Sequence, residues 1–131
     1  MKNLSFPQTF PQGFSQVFHK ALSDGESYEE KHEILPDDHG HTAARTLYYR
    51  GDHVFLVVND ATLELRCDDK LSRHLIDKYE SVMQSRYFGR GGIEIVPAGQ
   101  LTDEELSDLI RLSYHLTGGI EDDAHGDSHG H

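Results

Sequence analysis

The stretch that decides the fold is residues 42–67, Thr-Ala-Ala-Arg-Thr-Leu-Tyr-Tyr-Arg-Gly-Asp-His-Val-Phe-Leu-Val-Val-Asn-Asp-Ala-Thr-Leu-Glu-Leu-Arg-Cys. Its middle, Val54-Phe55-Leu56-Val57-Val58, is the most apolar run in the chain. Gly51-Asp52 and Asn59-Asp60 flank that run, and such pairs join antiparallel strands. In residues 61–67, Leu63, Leu65 and Cys67 alternate with Thr62, Glu64 and Arg66. That is the pattern of a strand with one buried and one solvated face. The stretch therefore reads as a three-stranded meander on which the remaining elements pack.

Moving upstream, residues 36–41 (Pro-Asp-Asp-His-Gly-His) form a loop. Residues 28–35 are rich in Glu and stop before Pro36. They fit either a ragged helix or a solvent-facing edge strand, and the strand is preferred. Phe10, Phe14, Val17, Phe18 and Leu22 recur at helical spacing, with Pro11 in a tolerated first-turn position and Ser23-Asp24-Gly25 as the stop. Their phenylalanines read as core anchors.

Downstream, Asp68 or Asp69 can cap a helix whose apolar face, Leu71, Leu75, Tyr79 and Val82, runs to about Met83. A loop with glycines and arginines follows at 85–92, then a strand at Ile93-Glu94-Ile95-Val96. Thr102-Asp103-Glu104-Glu105 is a capping box, with Leu101 and Leu106 placed as a hydrophobic staple. The final helix shows the face Leu106, Leu109, Ile110, Ser113, Tyr114 and Thr117, and Gly118-Gly119 is expected to end it. Residues 1–118 thus form one α+β domain: an antiparallel sheet of about five strands with helices on one face. The order is helix, strands, helix, strand, helix. Residues 119–131 read as a flexible, acidic, His-rich tail.

A chain of 131 residues supports one modest core. Its single cysteine, Cys67, excludes an internal disulfide and a multi-thiolate metal site. No apolar run matches a signal peptide or a membrane span, so a cytoplasmic location away from membranes is expected. The net charge is −11, and four of those charges lie in 119–131, which leaves −7 on residues 1–118. Such a body repels phosphate backbones at long range. Residues 1–23, 39–51 and 81–93 nevertheless contain no Asp or Glu. They make a local basic patch if the fold gathers them, and merely uneven surface charge if it does not.

Ten histidines raise the question of metal. His39 and His41, and again His129 and His131, form His-Gly-His segments near acidic residues, with donors that zinc or nickel accepts. Both segments are rich in flexible residues, so adventitious binding is expected rather than a specific site, and no cofactor is implied. Hydrolase elbows, phosphate loops, zinc-protease signatures and dinucleotide fingerprints are all missing. Cys67 falls on an apolar face, where a thiol is a small core residue. No catalytic residue is assigned. The best interaction candidates are Arg86, Tyr87 and Arg90, because arginine beside an aromatic can hold phosphate and stack on a base, or anchor a protein. The competing reading has the aromatics folding back onto the core while the arginines neutralise nearby acids.

From Leu63 onward the chain resembles the MmcQ/YjbR family of small bacterial proteins. The resemblance lies in Leu63-Glu64-Leu65-Arg66-Cys67-Asp68-Asp69, the turn at Tyr87-Phe88, the helix from Leu101-Thr102-Asp103-Glu104-Glu105-Leu106 to Ser113-Tyr114, and more loosely 48–55. The family's His-Trp pair has no counterpart, since Gly91-Gly92 falls near its place and the chain has no Trp. The resemblance implies a secretion-chaperone-like or double-wing sheet with helices on one side. It also implies binding of DNA or other nucleic acid. The chain is therefore read as a non-catalytic binding domain, with a protein-interaction or chaperone-like adaptor domain as the alternative. Were DNA bound, Arg86 and Arg90 would be contacts, aided by Arg45, Arg50 or Arg66.

Overall fold

The computed structural model describes residues 14–22, 25–36, 40, 42–97 and 100–126. Helix α1 (Phe14–Ala21) leads into four strands: β1 (Glu29–Pro36), β2 (Thr42–Arg50), β3 (His53–Val58) and β4 (Leu63–Arg66). Helix α2 (Asp69–Lys78), strands β5 (Val82–Ser85) and β6 (Gly89–Ile95), and helix α3 (Asp103–Gly126) complete the order. The sheet has six strands in the order β1-β2-β3-β4-β6-β5, and every neighbouring pair is antiparallel. The meander lies at its centre, and the acidic segment before Pro36 is an edge strand. Among the described residues, no helix is long and apolar enough to cross a membrane.

The sheet has six strands rather than about five because the segment expected to close α2 is β5. Asp68 caps α2 by accepting a hydrogen bond from the Leu71 N–H at 2.8 Å, as its sequence suggests. At the other end Tyr79 is extended (φ −124°, ψ 127°), although its N–H still donates to Leu75 O. Val82 then pairs with Ile95 and is buried. An apolar residue seven positions after Leu75 satisfies a helical stripe and a strand equally well, so spacing alone misplaces the boundary.

All three helices cover one face of the sheet. Phe14, Val17 and Phe18 of α1, Leu75 of α2, and Leu106, Ile110 and Tyr114 of α3 share a core with Tyr48, Phe55, Leu63, Leu65, Ile93 and Ile95 of the strands. Cys67 belongs to this core, where burial pushes its thiol up to about 11. Ser113 pins α3 to the meander: its buried hydroxyl donates to Phe55 O at 2.6 Å and accepts the Arg66 N–H at 2.8 Å. Next to it, Tyr114 meets Phe55 edge-on and donates its hydroxyl to Ser27 O. Those two positions are the Ser-Tyr of the final helix.

Helix α3 also runs past Gly118-Gly119, where the sequence reading ends it. Gly118 is a point of close approach, not a stop. A Cβ there would collide with the guanidinium of Arg50, which lies over the Tyr114 ring and donates to Tyr114 O at 2.9 Å. The expected tail therefore begins as helix, and residues 127–131 lie outside the described residues.

Candidate binding site on the open face of the sheet

Residues that sit opposite one another across the sheet share a face. One such row reads Lys31, Leu47, Val57, Glu64, Glu94 and Met83 from edge to edge, and it lies on the side away from the helices. Two glutamates thus stand directly opposite each other in the middle of the sheet, a placement that repels unless other groups compensate. Both are 2 % exposed. The sequence reading had put Glu64 on a solvated face, and a later turn of the chain buries it.

That turn is Arg86-Tyr87-Phe88, which folds back from the β5–β6 hairpin over the open face. Glu64 clamps it: one carboxylate oxygen accepts the Ser85 hydroxyl at 2.7 Å and the Tyr87 N–H at 2.8 Å, and the other accepts from Asn59 at 2.8 Å. Ser85 in turn accepts the Phe88 N–H at 2.8 Å. Glu94 is gripped by Arg86 through Nε at 3.0 Å and Nη2 at 2.7 Å, and Thr62 adds a hydrogen bond of 2.7 Å. Burial alone would raise the Glu94 carboxyl, but these hydrogen bonds outweigh it and hold the carboxyl below its ordinary value. Every acceptor oxygen of the pair is satisfied, as buried carboxylates require.

Phe88 lands on a small second core of Leu47, Val54 and Val57. Gly92 makes room for it, since a Cβ there would meet Phe88 Cβ at 2.7 Å. Arg66 lies over the Phe88 ring, its guanidinium carbon 4.7 Å from the centroid, and donates to Val54 O at 2.8 Å. Burial lowers the pKa of that guanidinium. Tyr87 meets Phe88 edge-on and carries Arg45 at 5.3 Å from its ring. Arg45 in turn pairs with Glu33 at 2.8 Å.

Of the residues singled out from sequence, Arg45, Arg66, Arg86 and Tyr87 come together on this face. Arg50 does not, being spent on α3. Arg90 is 81 % exposed, 4.0 Å from Asp69 at the start of α2. The gathered arginines make no positive patch: Glu33, Glu64 and Glu94 stand among Arg45, Arg66 and Arg86. Sequence reasoning missed both glutamates, although Leu63-Glu64-Leu65 and Ile93-Glu94-Ile95 repeat one pattern, a lone acid between core residues on adjacent strands.

Beside the turn lies a depression of about 570 Å³, bounded by Leu35, Ala43, Ala44, Ala61 and Tyr87, with Arg45, Arg86, Asn59 and Asp60 on its polar side. Tyr87 remains 39 % exposed at its rim. Elsewhere, Thr46 Oγ1, His32 and Glu30 form a hydroxyl–imidazole–carboxylate chain with separations of 3.1 and 3.1 Å. Thr46 is a buried residue of the helix-covered side, whereas the His32 side chain is 60 % exposed. Among the described residues, no three His, Cys, Asp or Glu side chains are grouped to hold a metal ion. His39, His41, His129 and His131 lie outside the described residues. Compared with family models, with curated proteins and with solved structures, the chain finds no match in any of the three.

Proposed function

We propose that the chain is a non-catalytic binding domain whose working surface is the face of the sheet away from the helices, and that its partner is a protein. The observation that carries this reading is the charge pairing around Tyr87. Arg86 is held by Glu94 and Arg45 by Glu33, so the depression presents an aromatic ring and small apolar side chains in a frame whose arginines are already matched by carboxylates. Phosphate binding needs unmatched cations, whereas an aromatic anchor in a rim without unmatched cations suits a protein. The resemblance to the MmcQ/YjbR family supports a binding role, and by itself points to nucleic acid.

The test is a photo-reactive phenylalanine analogue placed at Tyr87 and, as a control, at His74 on the exposed side of α2. The reading expects a discrete, salt-tolerant protein adduct from position 87 alone. Equal labelling from both positions, or none from position 87, contradicts it.

Nucleic-acid binding is the second reading, and exposed Arg90 favours it. It expects duplex binding that weakens steeply with salt and falls on Arg90→Ala. Arg90 is the informative substitution because removing Arg86 would leave Glu94 buried without its counter-ion.

A further inference from the structure

Strand β2 is longer than the neighbour it pairs with on its inner side. Thr46 stands opposite Val58, and the chain then leaves the ladder at Asn59, whose N–H donates to Thr62 O at 2.8 Å to close the turn. The preceding residues of β2, Thr42, Ala43, Ala44 and Arg45, pair with Pro36, Leu35, Ile34 and Glu33 of β1. On the β3 side, no strand among the described residues pairs with them. Alternate residues of a strand turn their N–H and C=O groups to opposite neighbours, so this stub offers backbone groups on that side that no described residue pairs.

The depression lies at this place. Ala43 and Ala44 both line it. Successive strand residues point to opposite faces, so a cavity touching both meets β2 edge-on. Leu35 and Ala61 form apolar walls, and Tyr87 adds an aromatic one.

We infer that this gap is an acceptor slot for an extended, uncharged peptide of about four residues, which continues the line of β3 and hydrogen-bonds to residues 42–45. The inference rests on the reading of this face as a protein-contact surface. Only an extended backbone satisfies the alternating donors and acceptors of a strand edge, and the four-residue stub, in which alternate residues face the gap, sets its length. The walls favour β-branched or aromatic side chains. Arg45 and Arg86 are already matched by Glu33 and Glu94, so an anionic ligand would have to displace those carboxylates.

The experiment uses the full chain, labelled with ¹⁵N and titrated with acetyl-Thr-Val-Thr-Val-Thr-amide. Two further peptides are N-methylated at alternate amides, one in each frame. The slot predicts saturable shifts confined to residues 42–45, 59–62 and 87, equal at low and high salt. It predicts that one methylated frame binds roughly tenfold more weakly, as expected for lost backbone hydrogen bonds. Ala43→Trp should abolish the shifts. Ala61→Trp, at an exposed turn position outside the ladder, does the same if Ala43→Trp fails to fold. Absence of saturable shifts, indifference to N-methylation in both frames, or shifts centred on the β5 edge at Met83 overturns the slot. A salt-tolerant adduct through position 87 can survive that failure, so the slot and the underlying reading fall separately.

Discussion

The two faces of the sheet are buried by different means. On one, three helices lay apolar side chains over Phe55, Leu63, Leu65, Ile93 and Ile95, and the stabilisation scales with the apolar area removed from water. On the other, a turn covers a small apolar cluster and two carboxylates, and its position depends on hydrogen bonds of defined direction. The first face tolerates changes of shape that keep volume. The second tolerates little, because a buried acid that loses a partner keeps its desolvation cost. A surface for contact gains from the second arrangement, since a fixed turn holds Tyr87 in place before a partner arrives.

The largest effect is expected on the helix-covered face. Phe55→Ala should cost about 4 kcal/mol in denaturant unfolding, through lost burial and the cavity left behind. Arg86→Ala should cost about 2 kcal/mol, because Glu94 loses its counter-ion while Thr62 and the water admitted by the largely exposed arginine site offset part of the loss. The double change Arg86→Met with Glu94→Leu should recover most of that loss, which a purely apolar account of this face would not predict. At the start of α3, Thr102→Ala should cost about 1 kcal/mol, as its hydroxyl accepts the Glu105 N–H at 3.1 Å in the capping box. Arg90→Ala should change stability by less than about 0.5 kcal/mol.

Acid acts on the open face through Glu94. The Glu94 carboxyl is depressed in the folded chain, so its contribution is complete above its ordinary pKa of 4.5 and is lost as pH falls through the lower folded value. The midpoint of thermal unfolding should therefore hold from neutral pH down to about 5 and drop below that. The drop should be shallower in the Arg86→Met, Glu94→Leu double variant.

The helix-covered face was legible in the sequence, the open face much less so. Alternation at Leu63, Leu65 and Cys67, the turn pairs around residues 53–58 and the capping box at Thr102 report local periodicity, and local periodicity decides which residues enter the main core. Glu64 and Glu94 carry no such mark. An acid on the polar side of a strand looks the same whether it meets water or a turn folded back from another part of the chain. The aromatics of 87 and 88 could be read as folding back, and Phe88 does, but the acids beneath them depend on the pairing of β4 with β6. Strand β5 was hidden because Val82 fits two periodicities. Gly118 was misread because a glycine that admits a distant arginine looks like one that ends a helix.

The central claim is that buried glutamates fix the 86–88 turn as a preformed surface, and native-state hydrogen exchange at the Tyr87 amide tests it most directly. If Glu64 holds that N–H as described, the amide is protected to a degree comparable with the β4–β6 ladder, and Glu64→Gln lowers its protection more than that of Phe55. Exchange at the rate of an open loop in the unaltered chain would contradict the account.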